Sequence, residues 1–434
     1  MGKNRPQMPY TGFRFLNPTL PMKRFLFLLL LSTTAGFAQK KTPPVIDARV
    51  IKVDSLLWDL KALSKAPAVE WLSQTGPVRS LLYKSVDYEG KPTQVFAYYS
   101  NPDLIRGKPV SKRKFPGVVL IHGGGGKAFK EWVEKWAADG YAAIAMDLAG
   151  KGEDGKRLAQ SGPDQGEVDK FSKLEKAALR DLWTYQAVSG AILAHSLLLS
   201  FPEVDVTRTA VTGISWGGYL TCLVASLDNR FKAAAPVYGC AYYDESDVFK
   251  TSILKLSPSG QQKWMRYFDP SVYLPFAKPQ FLFVNGNKDR FYNVVPYHKT
   301  YSLIPPKQRT MCLIPDMKHG HEAGWEPHEI RYFFESILND GVPLADVGPV
   351  LATDSTLRLS YQSPVTVYTA EFYYSNDTTS VNENRVWSKQ KATLDRNART
   401  VTSPVPKEGF QYGFFYLKDH RNVSVSSPFL LKGN

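Results

Sequence analysis

The chain has 434 residues, 43% of them apolar and 22% charged, which suffices for a large core and more than one domain and excludes a disordered chain. Its formal charge is +14, but lysines and arginines alternate with acidic residues and no nucleic-acid-binding motif occurs; the densest basic cluster, Arg106 to Lys114, reads as a solvated loop. The three cysteines, Cys222, Cys240 and Cys312, are odd in number and each lies in an apolar run, so buried thiols are expected rather than a disulfide framework.

In chain order, the first informative stretch is Met22-Lys23-Arg24, followed by the apolar run Phe25 to Leu31 and the small residues Ser32 to Ala38. A basic start, a short apolar centre and a small-residue exit predict a signal peptide over residues 1–38, with the true start at Met22 and cleavage after Ala38. The run is far below the ~20 residues a membrane span needs. Cleavage removes five basic and no acidic side chains, leaving a mature charge of +9. The expectation is an exported protein, periplasmic or extracellular, with no stable membrane insertion.

Residues 39–112 read as a helical segment followed by the first strands. Ala48 to Leu82 is amphipathic at helical spacing, with Leu56, Leu57, Leu60 and Leu63 near one face and Trp58 and Trp71 as anchors. Tyr88 to Lys91 is turn-like, and Gln94 to Tyr99 is strand-like. From residue 113 to 344 strand and helix alternate. Strands are expected at 117–121, 141–146, 209–214, 233–237, 280–284 and 311–314, and helices at 130–139 and 177–199. The strands are near-continuous apolar runs, as in a parallel sheet covered on both faces, where ligands bind beyond the carboxyl ends of the strands.

Those strand ends carry His122 with Gly123 to Gly126, then Asp147, Ser215, Asp289 and His319. Ser215 sits in Gly213-Ile214-Ser215-Trp216-Gly217-Gly218-Tyr219, after a β-branched run and before a helix-like one, which reads as a nucleophile elbow: glycines at 213 and 217 remove side-chain clashes at a sharp strand-to-helix bend. A serine hydroxyl needs an imidazole to take its proton, and the imidazole needs a carboxylate to hold its tautomer. Of seven histidines, His122 and His195 precede the serine, His298 and His328 fall in helices, and His420 lies in the last segment, leaving His319 and His321 as bases. Asp289 and Asp244 are the candidate acids; Asp147 reads as loop support. His319, Gly320, His321 and Glu322 lack an H-E-x-x-H pattern and a third ligand, so neither metal nor other cofactor is expected.

Through "HGGGG", "GISWGGY", "NGNKD" and "IPDMKHGH", the stretch from Phe115 to about Gly341 resembles the α/β-hydrolase superfamily. Within it the resemblance is to dienelactone-hydrolase-like esterases, acetyl xylan esterases and the catalytic domain of prolyl-oligopeptidase-type peptidases. It implies a doubly wound, mostly parallel sheet and a triad of Ser215, Asp289 and His319, with the backbone N–H groups of Trp216 and Gly124 as the oxyanion hole; Gly123 is the alternative donor. Many acetyl xylan esterases have a tyrosine in this loop and a glutamine after the serine, whereas this chain has glycine and Trp216, closer to the oligopeptidase type.

Two insertions leave sheet ends beside the serine. The segments 147–177 and 241–274, the latter with Tyr242, Tyr243, Trp264 and Tyr267, are expected to wall the substrate pocket. Residues 345–434 carry short β-rich runs split by Asp, Asn, Gly and Pro, and read as a separate β-sandwich of immunoglobulin or fibronectin type. The expected function is a serine esterase acting on a small ester or an acylated carbohydrate. A serine peptidase is the second expectation, although the propeller usual in that family has no room between Gln39 and Lys114, and a silent glycan-binding relative is the third.

Overall fold

The computed structural model describes residues 43–432 except 54, 55, 110 and 111; the expected signal peptide, 1–38, lies outside the described residues. No helix among the described residues is long and apolar enough to cross a membrane.

The core is a sheet of β1 (Val69–Ser73), β2 (Arg79–Lys84), β3 (Gln94–Ser100), β4 (Phe115–Ile121), β5 (Ala142–Met146), β6 (Val204–Ile214), β7 (Ala233–Val237), β8 (Gln280–Gly286) and β9 (Arg309–Ile314), in the order β1-β2-β3-β5-β4-β6-β7-β8-β9. From β5 to β9 neighbours run parallel, while β1, β2 and β3 form an antiparallel wing that joins at β5. Every residue of β4, β5 and β7 is buried, which is why these strands read as unbroken apolar runs. The helices Trp183–Ser200 and Trp216–Leu227 pack on each other and on the sheet; Lys130–Ala138 and His328–Leu338 meet through Trp136 and Phe334, whose rings are 5.4 Å apart. The parallel strands therefore all end at one rim.

The N-terminal segment departs from the helical expectation. Among the described residues of this stretch only Leu60–Leu63 is α-helical, capped by the Asp59 side chain, and Trp71 lies on β1. Pro67 forbids continuation of the helix, and Gly76-Pro77 sets the turn between β1 and β2. Trp58 is the anchor it was expected to be: it is buried, and its indole N–H donates to the Tyr185 carbonyl at 3.2 Å.

After residue 345 follow β10 (Asp346–Ala352), β11 (Thr356–Gln362), β12 (Val367–Ser375), β13 (Ser388–Lys391), β14 (Thr393–Asp395), β15 (Thr400–Pro404), β16 (Tyr412–Asp419), β17 (Ser424–Ser426) and β18 (Leu430–Leu431). They form two antiparallel sheets. One, β10-β11-β15-β14, stands by itself; the other continues the central sheet, because Ser426 on β17 pairs with Met311 on β9. The sequence changes character at residue 345, but the fold does not part there, and the described residues on both sides of it cluster in one compact unit. Glu329 seals this seam: its carboxylate accepts from the Ser424 N–H at 3.0 Å and from the Ser424 hydroxyl at 2.6 Å.

Candidate active site

Ser215 is at the bend between β6 and the helix Trp216–Leu227, with φ 59° and ψ −116°, a conformation that a non-glycine residue adopts only when its surroundings hold it. Its own N–H donates to the Val237 carbonyl at 2.9 Å. The flanking glycines are there for space. A Cβ on Gly213 would lie 2.3 Å from the Gly217 carbonyl oxygen, and one on Gly217 would lie 2.1 Å from that of Ile121. The bend thus raises the Ser215 hydroxyl at the rim where β4, β8 and β9 also end.

The structure brings the expected acid and one expected histidine to this hydroxyl. His319 Nε2 is 2.9 Å from Ser215 Oγ, and His319 Nδ1 is 2.6 Å from Asp289 Oδ2. Asp289 is buried, and its other oxygen accepts from the N–H groups of Phe291 and Tyr292 at 2.9 and 2.8 Å, so the carboxylate has one orientation. Tyr238, at φ 55°, donates its hydroxyl to the Lys318 carbonyl at 2.6 Å and lies against the His319 ring at 4.5 Å. Asp244, the other candidate acid, is exposed in the turn Tyr243–Glu245.

His321, the other candidate base, does something else. Its Nε2 accepts the Gly123 N–H at 3.0 Å, and its ring packs on Phe129 at 4.8 Å. Burial, reinforced by His122 and His319, pushes its pKa down to about 4, so it stays neutral and remains an acceptor at ordinary pH. This contact also separates the two oxyanion-hole candidates: the Gly123 N–H is occupied, whereas among the described residues no acceptor takes the N–H of Gly124 or of Trp216. His122 holds the same loop from behind. Its Nδ1 bonds to the Gly123 carbonyl and its Nε2 accepts the Leu148 N–H, both at 2.8 Å, so Nδ1 carries the proton; burial lowers its pKa. Asp147 accepts from the N–H groups of Ala149 and Lys151 and supports its own loop.

Trp216 explains the glycine at 124. A Cβ there would lie 2.8 Å from Trp216 Cδ1, so the indole fills the space a side chain would need. The indole is itself wedged among Trp183, Tyr219, Tyr243 and Phe249, with ring centres 5.1–5.5 Å away. Two residues expected in the pocket wall, Tyr243 and Trp264, are instead fully buried in this cluster, because the aromatic insertion packs down on Trp216 rather than opening to solvent.

Lys170 had no signal in the sequence. It is buried, with its ammonium 4.1 Å from the centre of the Trp216 ring and 5.3 Å from that of Trp183, and burial pulls its pKa down to about 8. Two further residues also escaped the sequence reading: Tyr292, whose hydroxyl bonds to that of Tyr243 at 3.1 Å, and Asn382, treated below. Tyr292, three residues after Asp289, was the more accessible of them. Among the described residues, no group of three His, Cys, Asp or Glu side chains is placed to hold a metal, and the three cysteines are buried and unpaired.

A constellation of hydroxyl, imidazole and carboxylate next to two unoccupied N–H groups can run nucleophilic acyl transfer. Comparison with known proteins points the same way. The acetyl xylan esterase family model matches residues 80–251, and the prolyl oligopeptidase family model matches residues 175–339. A probable dipeptidyl-aminopeptidase B of Arthroderma benhamiae is 24% identical over 290 residues, 62% of this chain and 29% of that protein. The alpha/beta hydrolase psoB of Aspergillus fumigatus is 31% identical over 167 residues, 36% of this chain and 32% of that protein. The chain thus spans less than a third of the length of these two relatives. Among solved structures, an acetyl xylan esterase from Paenibacillus sp. R4 superposes with a TM-score of 0.50 at 22% identity, covering 64% of this chain and 92% of that one. The parallel sheet with the strained serine at its rim is the α/β-hydrolase fold, and the two family models to which the chain is similar overlap on the stretch that holds Ser215.

Proposed function

We propose that the protein is an exported serine esterase that cleaves small or carbohydrate-linked carboxylic esters through an acyl-enzyme. The observation that carries the reading is the hydrogen-bonded chain Ser215–His319–Asp289, at 2.9 and 2.6 Å. In the proposed mechanism the Ser215 oxygen attacks the ester carbonyl as its proton passes to His319 Nε2. Asp289, bonded to Nδ1, holds the ring and stabilises its charged form. The carbonyl oxygen, now anionic, takes the N–H groups of Gly124 and Trp216, each such donor worth about 3 kcal/mol in the transition state. The His319 proton then goes to the departing alcohol oxygen, and a water activated by the same nitrogen attacks the acyl-serine. The match to the acetyl xylan esterase family supports the ester as substrate. Export rests on the leader read in residues 1–38.

A second reading, a serine peptidase, is favoured by one observation: the prolyl oligopeptidase match over 175–339 takes in Ser215, Asp289 and His319 together. Side-by-side turnover of p-nitrophenyl acetate, acetylated xylan oligomers and a proline-containing dipeptide anilide, each against Ser215→Ala, separates the two. Serine-dependent ester cleavage without anilide cleavage is the expected result; anilide cleavage would move the protein to the peptidases, and ester turnover that survives Ser215→Ala would remove the serine mechanism.

A further inference from the structure

The residues after 345 reach into the site at one point. Asn382, in the short turn Asn382–Asn384 between β12 and β13, is buried, and its side-chain amide donates to the backbone carbonyl of Asp289 at 2.9 Å and to that of Asn287 at 3.3 Å. Its own carbonyl accepts from Arg385 Nη1 at 2.6 Å, and the Arg385 guanidinium in turn donates to the Asp377 carbonyl at 3.0 Å. Both ends of the amide are therefore hydrogen-bonded.

The turn it grips is the one that aims the acid. The Asp289 N–H closes onto the Gly286 carbonyl at 3.2 Å, and the Asp289 carboxylate accepts the N–H groups of Phe291 and Tyr292. Asn287 extends the link to the histidine loop, since its side-chain oxygen accepts the Asp316 N–H at 2.8 Å. At the surface of the same contact, Arg290 lies 3.7 Å from Glu383. Two carbonyls of the acid turn converge on one amide that comes from 93 residues further along the chain.

We propose that Asn382 is a positioning residue for Asp289, so that the C-terminal β module completes the active site rather than acting as a spacer. This rests on the reading of Ser215, His319 and Asp289 as the triad. The module registers the acid turn against the sheet, and through Asn287 the histidine loop with it. A displacement of about 1 Å at a reacting group can cost on the order of 100-fold in rate, whereas substrate affinity depends on other groups.

The test uses the full chain. Asn382→Asp keeps the partner of Arg385 but removes the donor to Asp289, and Asn382→Leu removes both without adding charge. Ser424→Ala is the control, because it breaks a contact of the same module with Glu329 that does not touch the acid turn. Turnover of p-nitrophenyl acetate and the rate of fluorophosphonate labelling at Ser215 are read on each, with thermal unfolding alongside. Both Asn382 variants are expected to lose about 10- to 100-fold in kcat and in labelling rate, with KM within about threefold of the parent. Ser424→Ala is expected to keep the parent rates. Parent-like rates in either Asn382 variant, or an equal loss in Ser424→Ala, would overturn the proposal while leaving the triad intact. Failure of the parent itself to label at Ser215 would overturn the triad reading, and this proposal with it.

Discussion

Gly124 and Trp216 are two halves of one contact, and Gly124→Ala tests it. The new Cβ would sit 2.8 Å from Trp216 Cδ1, where ordinary carbon–carbon contact is about 3.5–4.0 Å, so a shift of about 0.7 Å or more is required. The indole cannot supply it: Trp183, Tyr219, Tyr243 and Phe249 hold it, and Lys170 covers a face. The backbone at 124 must move instead, and its N–H moves with it. Taking one donor out of range of the oxyanion costs about 3 kcal/mol, a loss of about 100- to 1,000-fold in kcat with KM little changed. The assay is steady-state turnover of p-nitrophenyl acetate by Gly124→Ala, by Trp216→Gln and by the double variant. With the indole gone the methyl group has room, so Gly124→Ala should cost less than tenfold in the Trp216→Gln background. A kcat for Gly124→Ala within threefold of the parent would refute the reasoning, as would an equal penalty in both backgrounds.

The two histidines of the last loop should separate by orders of magnitude. His319→Ala should lower ester turnover by several orders of magnitude, whereas His321→Ala should cost about tenfold, because it leaves the Gly123 N–H without its acceptor and the loop less well held; the reverse ranking in kcat/KM would mean the base is His321. Lys170→Met should stabilise the protein at neutral pH. Burial lowers the Lys170 pKa from 10.5 to about 8, a penalty of about 3 kcal/mol on the charged form, partly offset by about 1–2 kcal/mol of attraction to the tryptophan faces. Because the folded-state pKa is the lower one, the penalty is complete below pH 8 and relaxes between pH 8 and 10.5, where the unfolded chain alone still holds the proton. The urea midpoint of Lys170→Met should therefore exceed that of the parent at pH 7 and approach it by pH 10; a lower midpoint at pH 7 would contradict this.

What could be read from the chain alone was local in sequence. The elbow around Ser215, the glycines after His122 and the apolar strands of the parallel sheet are each written in a run of fewer than a dozen residues, because the bend, the close approach and the two-sided burial are imposed by the residues themselves. The order of serine, acid and histidine could be read as well, since strand ends mark the rim of such a sheet. The N-terminal segment misled because leucines at helical spacing outweighed Pro67 and the Gly76-Pro77 turn. Roles that depend on a partner far along the chain had no local trace. That His321 meets the Gly123 N–H while His319 reaches Ser215 depends on how the last loop folds over the rim, and the burial of Tyr243 and Trp264 depends on the packing of an insertion onto Trp216. Lys170 over Trp216 and Asn382 under Asp289 exist only once strands distant in sequence share a sheet, since a hydrogen bond or a ring contact depends on distance in space, and only the closed fold determines that distance.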